Sequence, residues 1–106
     1  MNESEKVVEQ INLKVQKTLS SLKPHLRSWA QQHLTQPRRC ILSLDSDGNS
    51  LKDFWLVTDH NGKEDSSYRV VYDADEQVFG LEVTLESGIE WYMGAYGTFA
   101  EAIENM

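Results

Sequence analysis

The spacing of apolar residues changes once along this chain, near Thr35-Gln36-Pro37, and that change constrains the fold more than any other feature. Before it, apolar residues recur every three or four positions, which places them on one face of an α-helix. After it, they follow the two-residue period that is typical of β-strands. The sequence therefore predicts a helical part followed by a sheet. The helical face consists of Val8, Ile11, Val15, Leu19, Leu22, Leu26 and Trp29.

Pro24 interrupts the helical stretch and allows two interpretations of it. The first interpretation is one long bent helix, because the apolar face keeps its phase across Pro24. Two helices, separated at Ser20-Ser21 with Pro24 in the first turn of the second, are the other. An unbroken helix over residues 3–34 would be about 48 Å long, whereas a domain of this size is roughly 33 Å across. We therefore expect a break near residues 20–24, or a first half that extends onto a partner.

Short segments separated by turn residues follow Pro37. We predict strands over residues 40–44, 52–59, 67–73, 78–85 and 89–93, with a hairpin turn at Asn61-Gly62. Connections this short join antiparallel strands, because parallel pairs need long crossovers. Thr98 and Glu101 fit a capping box that begins a last helix. The predicted fold class is α+β: a long bent helix or two helices, a five-stranded antiparallel meander and a short C-terminal helix.

The length of 106 residues fits a single domain, with a helical part at 1–35, a sheet at 38–94 and a C-terminal helix at 98–106. The formal net charge of −7 is unevenly distributed. Seven cationic and three acidic side chains give residues 1–40 a charge of +4, whereas three cationic and fourteen acidic ones give residues 41–106 a charge of −11. The acidic balance disfavours nucleic acid as a partner and favours a basic protein.

No metal, cofactor or catalytic site is predicted. Asp45-Ser46-Asp47-Gly48-Asn49 resembles the start of a calcium loop, but Ser50 and Leu56 stand where such a loop needs glycine and an acidic ligand. Cys40 is the single cysteine and alternates with leucines, so we interpret it as a structural thiol. Since no nucleophile and base can be paired, enzymatic activity is disfavoured. With neither an apolar run that could span a membrane nor a signal peptide, we expect a cytoplasmic protein.

Apolar side chains occur on both faces of the predicted sheet. One set is expected to face the helices, namely Phe54, Leu56, Phe79, Leu81, Val83 and Trp91. A second set would then face away, which predicts burial against a partner or a second subunit. A strongly curved sheet that half-buries both faces within one chain is the alternative. The candidate interaction surface consists of Trp55, Val57, Val71, Val78 and Tyr92.

These features predict a non-enzymatic protein–protein interaction module of the inhibitor, adaptor or toxin-neutralising type. It would bind a basic protein or a second copy of itself through the N-terminal apolar stripe and the outer face of the sheet. The alternative is a small-ligand-binding domain or an enzyme with a pocket between sheet and helices. The candidate lining of that pocket consists of Tyr68, Arg69, Tyr72 and Trp91.

Overall fold

The computed structural model describes residues 2–59 and 68–106, which form three helices and five strands. The elements are α1 (Glu3–Leu19), α2 (Pro24–His33), β1 (Leu34–Ser43), β2 (Leu51–Thr58), β3 (Tyr68–Asp73), β4 (Val78–Thr84), β5 (Glu90–Gly97) and α3 (Phe99–Glu104). Their order and the antiparallel pairing confirm the predicted α+β class. The predicted hairpin turn at Asn61-Gly62 lies outside the described residues.

The helical part consists of two helices, which confirms the second interpretation of Pro24. α1 ends at Leu19, and Pro24 begins α2, where a proline removes no helical hydrogen bond. The Arg27 guanidinium donates to the carbonyl oxygens of Ser20 and Leu22, at 3.1 and 2.9 Å. Carbonyls at the end of a helix lack helical partners, so these two bonds stabilise the turn between α1 and α2.

The apolar stripe of the helical part packs inside the chain. Ile11, Val15, Leu19 and Leu22 are buried in a cluster that also contains the buried side of α3. These four side chains are therefore not available for an intermolecular contact, because the chain's own core covers them.

The five strands close into a barrel in the order β1-β2-β3-β4-β5. Consecutive strands pair antiparallel, whereas β1 and β5 run parallel and meet where Ser43 lies opposite Trp91. The meander was predicted, but its closure was not. The strands also extend further than the predicted limits of 38–94, since β1 begins at Leu34 and β5 ends at Gly97.

Closure gives the sheet an outer face, on which the helices pack, and an inner face that fills the barrel. The cluster on the outer face, beneath the helices, includes Trp55, Val57, Val70, Tyr72, Phe79 and Leu81. The inner cluster consists of Leu42, Phe54, Leu56 and Val71, with Cys40 and Tyr92 packed against it.

The predicted orientation of β2 is wrong. Trp55 and Val57 face the helices, whereas Phe54 and Leu56 point into the barrel. All four side chains are apolar and buried, so alternation along this strand gives no contrast from which to choose the helix-facing side.

Gly80 lets the ring of Tyr92 lie across the inner wall of the barrel. A Cβ atom at position 80 would stand 2.5 Å from the Gly94 carbonyl oxygen and 2.5 Å from the Tyr92 ring. That ring in turn stacks on Phe54, with the two centroids 4.3 Å apart. The missing side chain at position 80 therefore makes room for the aromatic pair.

The capping box at the start of α3 is confirmed. The Thr98 hydroxyl accepts from the Glu101 amide at 3.1 Å, and the Glu101 carboxylate accepts from the Thr98 amide at 3.0 Å. Phe99 and Ile103 are buried in the outer cluster. Six residues are too few for an isolated helix, so this packing stabilises α3.

We expect Gly80→Ala to lower the free energy of unfolding by about 2–3 kcal/mol, because the added methyl group meets backbone that cannot move away. Gly88→Ala is the control. Its Cβ would meet nothing within 4 Å, although the φ of +91° is unfavourable for alanine, and we expect a loss of about 1 kcal/mol. Urea denaturation followed by tryptophan fluorescence measures both. Equal losses would contradict the proposed role of Gly80.

Candidate protein-interaction surface

The predicted interaction residues do not form one exposed face. Trp55 and Val57 lie beneath the helices, whereas Val71 and Tyr92 pack in the barrel interior. Val78 is half-buried at the start of β4. Trp55, Val57 and Val71 are each at least nine-tenths buried, so these three side chains do not form an exposed contact surface together. Barrel closure buries the inner face and the helices cover much of the outer face, so apolar side chains on both faces are buried within one chain.

The predicted pocket residues are also separated. Arg69 points to the inner face of β3, opposite to Tyr68 and Tyr72. Tyr72 is fully buried under the helices. Tyr68 and Trp91 lie on either side of Val83, across three neighbouring strands, and both are half-buried. The four side chains therefore do not line a common cavity.

Arg69 holds three carboxylates at the end of the barrel where β2 and β4 finish and β3 and β5 begin. It donates through Nε and Nη2 to Glu82, through Nη1 to Asp59 at 3.2 Å and through Nη2 to Glu90 at 2.5 Å. Glu82 is fully buried, and the Arg69 side chain is only 13% exposed. Arg38 adds a second cation, 2.6 Å from Asp59.

This network has a structural role. The hydrogen bonds that Arg69 donates to Glu82, with smaller contributions from the charge of Glu82 and from the other carboxylates, raise the pKa of the Arg69 guanidinium, which stays charged. Because three carboxylates occupy the donors of Arg69, this side chain links β3 to β4, to β5 and to the residue that follows β2. It has little capacity left for a ligand anion.

Cys40 lies beside the same network on β1. Burial raises the pKa of the thiol to about 11; Arg69 opposes that shift, and Glu82 and Glu90 add to it. A thiol that ionises so weakly is a poor nucleophile at neutral pH. Its environment therefore fits the structural interpretation made from the sequence.

Part of the outer face remains exposed on the hairpin formed by β1 and β2. Ile41 and Leu51 are 59% and 64% exposed there. The register places Asp53 opposite Ile41 and Arg39 opposite Trp55, on the same side of the sheet. Arg39 and Asp53 form an ion pair of 3.3 Å in which both side chains are mostly exposed. We call this surface of Arg39, Ile41, Leu51 and Asp53 the hairpin face.

A groove of about 580 Å³ lies between α1 and the first part of the sheet. Its floor is apolar, because Pro37 and Trp55 are buried and Val8 is half-buried. Leu13 stands on its rim and is 65% exposed. We call this cavity the α1 groove. Its lining consists of Ser4, Glu5, Val8, Glu9, Asn12, Leu13, Gln16, Gln36, Pro37 and Trp55.

An irregularity in β1 shapes this groove. The pairing shifts between Leu34, which lies opposite Thr58, and Arg38, which lies opposite Leu56. Three residues of β1 therefore face one residue of β2. Proline is tolerated at such a bulge because it cannot donate to the ladder, so Pro37 supplies apolar surface where the regular pairing is interrupted.

A second groove, of about 380 Å³, lies between α1 and the start of α3, with Lys14 and Lys17 in its lining. The Glu101 carboxylate is also part of that lining and already accepts from the Thr98 amide. The capping box thus places a negative charge where a bound anion would need the free amide.

No three His, Cys, Asp or Glu side chains within residues 2–59 and 68–106 are grouped so that they could hold a metal ion. Asp45, which begins the calcium-like segment, accepts from the Asn49 amide at 2.9 Å. This bond is the main cause that lowers the pKa of the Asp45 carboxyl, and Asp45 shapes the turn between β1 and β2. None of the described helices is long and apolar enough to cross a membrane.

Comparisons of the chain with protein-family models, with curated proteins and with solved structures find no match. The geometry of the described surfaces therefore has to indicate what the chain can bind.

Sequence reasoning missed the exposed apolar residues Leu13, Ile41 and Leu51, although two of them left a signal. Leu13 lies off the helical stripe, between Ile11 and Val15, which is where an exposed leucine would stand. Ile41 alternates with Cys40 and Leu42, so it points away from the barrel interior. Leu51 lies one residue before the predicted strand at 52–59, and nothing in the sequence placed it on the sheet.

We expect Arg69→Met to lower the free energy of unfolding by about 3–5 kcal/mol, because Glu82 would stay buried without its cation. The double variant Arg69→Met/Glu82→Leu should recover most of that loss, since it leaves no fully buried carboxylate without a cation. Arg38→Met is the exposed control and should cost less than about 1 kcal/mol. Chemical denaturation distinguishes them; an Arg69→Met variant no worse than Arg38→Met would refute this role.

We expect alkylation of Cys40 by iodoacetamide to keep accelerating as the pH rises past 9, because the folded thiol has a pKa of about 11. In the urea-unfolded chain the rate should level off near the ordinary thiol pKa of about 8.5. Folding favours the neutral thiol, whereas the unfolded chain ionises it above about pH 9. The free energy of unfolding should therefore fall as the pH rises from about 9 towards 11. A plateau near pH 9 in the folded protein would contradict the burial of Cys40.

Proposed function

We propose that this chain is a non-enzymatic protein–protein interaction module that pairs with a second copy of itself through the hairpin face. The observation that supports this function is the exposure of Ile41 and Leu51 on adjacent strands, next to an ion pair. The opposite side of the same hairpin carries Leu42 and Phe54, which are packed into the barrel. A surface backed by a packed interior is already ordered, so binding costs little conformational entropy.

The charge pattern favours a second copy as the partner. A two-fold interface brings the same patch of both copies together, so each residue meets the symmetry mate of its contact. Arg39 and Asp53 carry opposite charges and lie diagonally across the strand pair. Arg39 of each copy can therefore pair with Asp53 of the other, with Ile41 next to both charges.

The hairpin face is small, which sets the expected strength of the dimer. Interfaces at the low end of the size range are weak, and a net charge of −7 on each copy opposes association. We therefore expect dissociation in the micromolar range or above, and sedimentation has to cover concentrations from micromolar to millimolar.

Exchange of the two charges tests this dimer. Arg39→Asp leaves two acidic residues on the hairpin face, and Asp53→Arg leaves two basic ones, so each variant should repel its own copy and sediment as a monomer. An equimolar mixture of the two should form a heterodimer, because each face then meets its opposite charge. Analytical ultracentrifugation of each variant and of the mixture measures the result.

Lys6→Asp, which makes the same charge change on the exposed side of α1, is the matched control and should leave the dimer unchanged. Ile41→Thr should weaken self-association by removing apolar contact while keeping a β-branched side chain on the strand. A wild-type chain that stays monomeric up to millimolar concentration, or a mixture no more associated than its components, would refute the proposed dimer.

A further inference from the structure

We propose that the α1 groove is a docking site for an apolar segment of a partner protein that carries lysine or arginine side chains. This inference rests on the proposed function as an interaction module, but it uses residues other than those of the hairpin face. Four apolar side chains supply the floor and one rim of the groove, namely Val8, Leu13, Pro37 and Trp55.

The shape of the groove suits a peptide. Its helical wall runs from Ser4 to Gln16 on α1, which is about 18 Å at 1.5 Å per residue. That length matches about three turns of a helix laid alongside, or five to six residues of an extended chain. The deepest apolar atoms belong to buried Trp55 and Pro37, and Leu13 projects beside them.

The charge of the groove selects a basic segment. Glu5 and Glu9 stand one turn apart on α1, so their carboxylates lie along one wall. The described lining includes no lysine, arginine or histidine, and its other polar groups are a serine and three amides. A cationic side chain beside an apolar contact would therefore meet uncompensated negative charge, whereas an acidic segment would be repelled.

The basic side chains that the sequence places near the groove are already paired with carboxylates. Arg39 lies over the Trp55 ring, 5.8 Å from its centroid, and is paired with Asp53. Arg38 is paired with Asp59. Both cations of this dipeptide are thus engaged by carboxylates of β2 and of the residue that follows it, and leave Glu5 and Glu9 available to a partner.

Two synthetic amphipathic peptides test the proposal by titration calorimetry. One contains leucine and lysine, and the other has glutamate in place of every lysine. We expect the leucine–lysine peptide to bind at least ten times more tightly at low salt, with an affinity that falls as sodium chloride is added. Glu5→Gln/Glu9→Gln should weaken its binding by about three- to tenfold, and Leu13→Ser should weaken it as well.

Glu86→Gln/Glu104→Gln is the matched control, since it removes the same charge from exposed positions elsewhere. It should leave the affinity unchanged within about a factor of two. Equal losses in the two double variants would mean general attraction by an acidic protein and would refute the groove as the site, as would the absence of binding to either peptide. Because Arg39 and Asp53 are unchanged in these variants, the dimer can fail while the groove still binds.

Discussion

Strand β2 has to bury large side chains on both of its faces, and the architecture of the chain follows from that constraint. Phe54 and Leu56 need an apolar interior, whereas Trp55 and Val57 need a cover. Burial of one such side chain contributes about 1.5–3 kcal/mol, so exposing either pair would remove several kcal/mol from a typical total of about 5–15 kcal/mol. A closed sheet with helices packed outside it satisfies both faces at once, while Ile41 and Leu51 on the outer side of the β1–β2 hairpin stay exposed.

Local signals in the sequence predicted much of the fold, and the non-local features were beyond them. The break before Pro24 and the capping box at Thr98 depend on a few neighbouring residues, and both are where the pattern indicated. The orientation of β2 depends on which partners reach each face, and its apolar residues are compatible with either. Closure at Ser43 and Trp91 joins the first strand to the last, which no short-range pattern encodes. The predicted interaction surface assumed an open sheet, whereas the closed sheet and its helices bury several of those residues.

The net charge of a segment of the sequence differs from the charge of the surface that the segment forms. Residues 1–40 are basic as a whole, yet the α1 groove, which that part lines together with Trp55, has two carboxylates and, among its described lining, no cation. Arg38 and Arg39 form ion pairs with Asp59 and Asp53. Arg69 forms ion pairs with Asp59 and with the buried Glu82. What a partner meets is therefore set by the charges left after internal pairing.

The seam between β1 and β5 has a consequence for motion. Ser43 and Trp91 form the single registered pair between these strands in the described part of the chain, whereas seven pairs join β1 to β2. Partial opening of a protein proceeds where the fewest hydrogen bonds and contacts must be broken. The barrel should therefore open between β1 and β5 before β1 separates from β2. Cys40 lies on β1, close to the Glu90 end of β5, so transient exposure of its thiol reports how often the barrel opens.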